Sequence, residues 1–271
     1  MMKKSVKPVV ILTLLILFAS SAVGEAVKKI QDNSFLVEEA YNQEDGVIQH
    51  IQSFQYFNRS NQWMYTFVQE WPVPTQKHQF SYTVPVFRIN DGGGDTTGLG
   101  DIALNYRYQL ILKDSVALAP RFSLIIPTGN YKKGLGNGAL GYQFNIPLSV
   151  ELSDKWVTHW NAGATFTPQA KEASGGRGDT FGYNLGANII YLLSDNLNLL
   201  TEVVWSTYQR VQSDSSSNWE EGFFINPGIR YAFNFKSGLQ IVPGLSFPIG
   251  LGQSNREYGV FLYLSFEHPL F

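Results

Sequence analysis

Gly98-Leu99-Gly100-Asp101-Ile102-Ala103-Leu104-Asn105-Tyr106-Arg107-Tyr108-Gln109-Leu110-Ile111-Leu112 is the stretch whose reading decides the fold. From Ile102 onward it alternates with period two. Ile102, Leu104, Tyr106, Tyr108, Leu110 and Leu112 share one face, and Ala103, Asn105, Arg107 and Gln109 share the other. The next run repeats the pattern, with Val116, Leu118, Phe122, Leu124 and Ile126 opposite Ala117, Ala119, Arg121 and Ser123. A third sets Leu140, Tyr142, Phe144, Ile146, Leu148 and Val150 against Gly141, Gln143, Asn145, Ser149 and Glu151. Strands of a soluble sandwich usually end after about 5–6 residues. Strands that cross a bilayer at a tilt need about 9–11, and these runs meet that length.

Working outward, further runs follow at Trp156–Thr167, Thr180–Leu193, Leu197–Arg210, Phe223–Phe233, Leu239–Ile249 and Tyr258–Phe266. Upstream, Val47–Phe57, Trp63–Val73 and Gln79–Ile89 add three more. The total is about twelve, an even number as expected of a bacterial barrel. Connections alternate too. Lys113-Asp114, Ser153–Lys155, Ser194–Asn196 and Asn234–Gly238 are short turns. Asn90–Gly98, Gly129–Gly138, Pro168–Gly178, Gln212–Asn218 and Gly250–Arg256 are longer and rich in Gly and Ser. Outer-membrane barrels put short turns in the periplasm and long loops outside. Trp71 and Trp156 then fall at periplasmic strand ends, and Trp63 and Trp219 at extracellular ends, as two aromatic girdles require. The fold class is therefore all-β, a transmembrane up-and-down antiparallel barrel.

The N-terminus reads as an export signal over residues 1–24. Lys3, Lys4 and Lys7 precede an apolar run, Pro8–Ala19, and small residues follow it. Removing that segment takes three of the 20 Lys+Arg and leaves 17 against 22 Asp+Glu. An acidic mature chain argues against a nucleic-acid partner. With no cysteine in the sequence, a lipid anchor, disulfides and thiolate metal sites are all ruled out. Charged residues make up only 15% and aromatics 14%, which suits a chain that shows half its surface to lipid. Residues 25–45 are expected to form a periplasmic or lumen-inserted extension, within which Ser34–Gln43 could be a short helix capped by Ser34. The barrel then occupies 46–271.

The last run, Glu257-Tyr258-Gly259-Val260-Phe261-Leu262-Tyr263-Leu264, with Phe271 at the end, resembles the assembly signal of outer-membrane barrels. The resemblance implies recognition by barrel-assembly machinery through Gly259, Leu262, Leu264 and Phe271. Gly98–Ile102, Ser123–Gly129 and Gly134–Gly138 resemble segments of the outer-membrane family of meta-pathway phenol-degradation-like transporters, and Phe35–Glu44 resembles a segment of some members. That resemblance implies passage of small, often aromatic or apolar molecules.

No motif carries an evident reaction. Gly136-Asn137-Gly138-Ala139-Leu140-Gly141 spells GxGxxG, but a strand follows where a dinucleotide site needs a helix. Arg177-Gly178-Asp179 sits in a Gly-rich loop, where the tripeptide arises by chance. His50, His78, His159 and His268 fall on separate elements without metal spacing. Ser149, Ser206 and His159 face the lumen, and only geometry can say whether any of them pair. The informative set is the inward charges Arg107, Arg121, Glu151, Glu202 and Arg230. They either pair into a lumen-filling network or line a constriction that selects solutes. The expectation is a passive, non-enzymatic channel without cofactor or metal. Its partners would be outer-membrane lipid, the assembly machinery and a small-molecule solute. A plugged structural or surface-interaction barrel is the alternative.

Overall fold

The computed structural model describes residues 34–90 and 94–270. The signal segment, most of the tip after Asn90, and Phe271 lie outside the described residues. Among the described residues no helix is long and apolar enough to cross a membrane. Crossing falls to twelve staves. In chain order these are β1 (Val47–Phe57), β2 (Gln62–Pro72) and β3 (His78–Asn90). β4 comprises Asp95–Leu99, Ile102–Tyr108 and Ile111–Lys113, and β5 comprises Val116–Leu118 and Arg121–Ile126. β6 (Gly141–Ser153), β7 (Trp156–Lys171), β8 (Arg177–Ser194) and β9 (Leu197–Val211) are continuous. β10 joins Ser217–Tyr231 to Phe233–Asn234, β11 joins Gln240–Ser246 to Ile249–Gly250, and β12 is Gly259–Pro269.

Every stave pairs antiparallel with its chain neighbours, and β12 returns to β1 from Val47↔Pro269 to Phe57↔Gly259. Closure leaves no edge, which is the condition for a sheet to stand in lipid. The alternation read from sequence gives the two faces. Leu104, Phe122, Phe144, Trp160, Leu185 and Val203 are exposed on the outside. Asn105, Arg107, Asn145, Ser149 and Glu202 are buried inside. The breaks in β5 and β11 fall at Pro120 and Pro248, which have no N–H to give a ladder.

Three expected loops are shorter than the sequence suggested; in the first, Asn90–Gly98, β3 already pairs with β4 at Asn90↔Asp95. After a bulge between Thr167 and Ala170, β7 and β8 keep pairing to Lys171↔Arg177, so only 172–176 connect them. Likewise 212–216 suffice between β9 and β10. β8, at 18 residues, rises well past the roughly 9–11 a bilayer needs. Above the lipid, outward residues need not be apolar, so the sequence loses its period while the strand continues.

The long connection 127–140 is fastened to the barrel rim by Asp101. Its carboxylate accepts the N–H of Gly129 at 2.9 Å and of Asn137 at 2.8 Å. Thr128 Oγ1 accepts the Ile102 N–H and donates to the Gly100 carbonyl. A Cβ on Gly136 would lie 2.3 Å from Asp101 Oδ1, so glycine is required there. The GxGxxG run is thus used to wrap a loop around a carboxylate.

Candidate functional site: the lumen and its N-terminal segment

Residues 34–45 lie inside the barrel. The expected helix is absent; the segment is an irregular chain of bends. The reason is where its backbone donors go. The N–H groups of Phe35, Leu36 and Val37 all point at the Glu202 carboxylate, at 3.0–3.2 Å. Those of Glu38, Ala40, Asn42 and Gln43 donate to Asn161 Oδ1, Ser149 Oγ, Gln109 Oε1 and Gln79 Oε1, at 2.7–2.8 Å. A buried N–H must find an acceptor, and here the barrel wall provides what a helix would otherwise provide from within.

The segment crosses the lumen from β9–β12 to β3–β4 before turning into β1. Phe35 anchors its start, with ring centroids 5.6 Å from Phe261 and 6.1 Å from Tyr263, both edge-on. The ring occupies a notch left by two missing side chains. A Cβ on Gly228 would come within 2.4 Å of Phe35, and one on Gly244 within 2.7 Å. Ile51, Ile190, Leu200 and Val242 complete this small apolar core. At the far end Gln43 Nε2 donates to Gln49 Oε1, and the Gln76 N–H donates to the Asp45 carboxylate.

Three of the five inward charges bind this segment. Glu202 is fully buried; three successive N–H groups form a nest around it, and Asn226 Nδ2 donates to its second oxygen at 2.7 Å. Arg107, also buried, donates to Asn42 Oδ1 (2.9 Å) and to the carbonyls of Glu39 (3.1 Å) and Tyr41 (2.6 Å), with Glu70 at 4.0 Å. Arg121 grips Glu38 through two bonds of 3.0 and 2.6 Å. Burial raises the Glu38 carboxyl, but the Arg121 and Arg107 guanidiniums outweigh it and hold the group below its ordinary 4.5. Arg230 is buried with its stem against Gly244, beside the Phe35 notch. Glu151 stays half-buried toward the short-turn end of β6, and its backbone N–H donates to the Ser115 carbonyl. Only Arg107 and Arg121 among the five lie side by side, as cross-strand partners, and both turn to the segment.

Ser149 and His159 do come together, with Oγ 2.7 Å from Nδ1. Both are buried, and the hydroxyl already accepts the Ala40 N–H, so the pair serves as a peg for the segment. Ser206 lies elsewhere, at the cavity beyond Glu38. The residues that sequence reasoning missed are the uncharged ones: Gln49, Gln79, Gln109, Asn161 and Asn226. Gln79, Gln109 and Asn161 bond the aperiodic segment directly, Gln49 through Gln43, and Asn226 through Glu202; none of these pairings is written in a strand period. Beyond the segment, toward the long loops, a cavity of about 380 Å³ opens, with Glu38, Arg121, Gln143, Asn145, Asn184 and Ser206 among its walls. Among the described residues no cluster of His, Asp or Glu could hold a metal ion.

A model of the family described as "Putative MetA-pathway of phenol degradation" matches residues 52–266. The chain belongs to this family. Within it, the three segments that carried the resemblance meet at one place, the Asp101 clasp. Among solved structures, the COG4313 outer membrane channel from Pseudomonas putida F1 is 16% identical, with a TM-score of 0.61 over 84% of this chain and 97% of that one. The NanC porin is 10% identical, with a TM-score of 0.52 over 82% of this chain and 100% of that one. Likeness at these identities is likeness of fold. None of the curated proteins compared with the chain matches it.

Proposed function

We propose that this family member is an outer-membrane channel for passive diffusion of small molecules, without catalysis, whose conductance is set by the segment Ser34–Asp45. The observation that carries the reading is the way the segment is held. Its backbone donors end on side chains of the lumen wall, so the bore is narrowed by a strand-free segment rather than by the sheet. Arg107, Arg121 and Glu202 act on the constriction by fixing that segment, and Arg230 lies beside the notch that seats Phe35.

Apolar or aromatic cargo, the expectation from the resemblance, draws support from the family's description alone. The cavity wall speaks for solutes that hydrogen-bond, since four amides, a hydroxyl and an ion pair are part of it. The lipid-exposed belt and the closed sheet support a place in the outer membrane, reached by Sec export. Planar-bilayer recordings on the purified protein and on a form lacking 34–45 test the proposal. The expected result is a small conductance that grows when the segment is removed. No conductance in either form, with no uptake defect on deletion, would establish the plugged barrel instead.

A further inference from the structure

The outer wall is not uniform. Across β8 and β9 the outward positions Leu185, Ile189, Leu199 and Val203 are aliphatic and well exposed. Across β12, β1 and β2 the same belt carries His50, Gln52 and Gln69, with His268, opposite Ile48, at the level of the Trp71 girdle. Their outward direction follows from parity: Gln49, Ile51 and Gln55, between them on β1, are buried inside.

Gln52 marks the depth. It sits opposite Phe67 on β2, and Phe67 is midway between Trp63 and Trp71, the two girdle residues of that strand. Gln52 therefore lies at the middle of the lipid belt, and Gln69, opposite His50, lies between it and the periplasmic girdle. Each glutamine has half its needs met. The Tyr65 hydroxyl donates to Gln52 Oε1 at 3.1 Å, and the Tyr82 hydroxyl donates to Gln69 Oε1 at 2.8 Å. Neither amide nitrogen has an acceptor among the described residues. Around them the rings pack into a sheet of their own: His50 stacks on His268 at 5.4 Å and on Phe67 at 6.3 Å, and Phe67 leans on Tyr82.

Lipid tails offer no acceptor, and an unmet donor in the hydrocarbon is costly. Aromatic and amide side chains are what a protein interface collects. We propose that this β12–β1–β2 face is covered by a second copy of the chain, in a twofold dimer whose axis stands normal to the membrane. Such an axis keeps each residue at its own depth, so Gln52 meets Gln52 of the partner subunit at the midplane. A primary amide is self-complementary: the Nε2 hydrogens of one reach the remaining lone pair of the other's Oε1. Any other membrane partner would need its own acceptor at that depth, and this chain already has one.

The mass of the protein extracted with its native lipid in polymer-bounded discs tests the proposal directly. A doubled mass is expected, and a monomer overturns it. The absence of cysteine makes the contact readable as well. Gln52→Cys, treated in intact outer membranes with a bis-maleimide spanning about 10 Å, since a direct disulfide needs Cα atoms within about 7 Å, is expected to shift to a band of twice the mass, while Leu185→Cys on the aliphatic face stays single. Equal crosslinking at both sites, or a Gln52→Cys adduct with a different protein, overturns the dimer. If Gln52→Cys does not assemble, Gln69→Cys and the untouched protein's mass still decide.

Discussion

At the scale of single residues, two carboxylates organise most of what is irregular here. Glu202 was legible from parity as an inward charge; that it closes a nest of N–H groups 165–167 residues away was not. Replacing it by alanine leaves three neutral N–H donors unmet, each costing about 1–3 kcal/mol where it is buried. The Glu202→Ala barrel should still assemble but release the segment, which limited proteolysis near Phe35 and larger single-channel currents would report. An unchanged current would show that Glu202 does not hold the constriction. Asp101 makes the second case. Asp101→Ala removes both bonds that tie down 127–140, so trypsin should cut at the exposed Lys132 and Lys133 much faster than in the native protein. Equal cutting rates would mean that Thr128 and the tight glycines suffice without the carboxylate.

The elements divide by whether they face lipid. Staves β4 to β9 were readable because each second residue must be apolar where it meets hydrocarbon, and that constraint writes itself into sequence. β1 carries only a weak alternation, and for a physical reason: His50 and Gln52 point outward, against the rule, while Gln49 and Gln55 point inward. Segment 34–45 left no period at all. Its conformation comes from acceptors on five different staves rather than from its own residues, so a capped helix was the reasonable but mistaken expectation. The Glu38–Arg121 pair gives this element a pH dependence. The folded pKa of Glu38 is lowered, so its contribution is present above the ordinary 4.5 and is lost as pH falls through the depressed value. Conductance should therefore rise on acidification in the native channel and change less in Glu38→Gln. Identical pH profiles would remove Glu38 from the account.

On the scale of the whole molecule, closure is the event on which everything else depends. The β1–β12 seam is tightest at Gly259, where a Cβ would lie 2.1 Å from the Tyr56 carbonyl oxygen. Gly259→Ala must move main chain at the seam. It should lower the fraction of protein that reaches the heat-modifiable, folded form in outer membranes; a native yield would show that the seam yields instead. Leu262 and Leu264 lie on the outward face of the same strand, and Phe271 lies outside the described residues. The sequence by itself determined the number of strands, their order and, on β4 to β9, which side chains face lipid, because a bilayer imposes a local, periodic rule on crossing segments. Only the tertiary structure decided what the lumen holds. There the rule is that each buried polar group must find a partner, and those partners are brought together by closure from positions far apart in the chain.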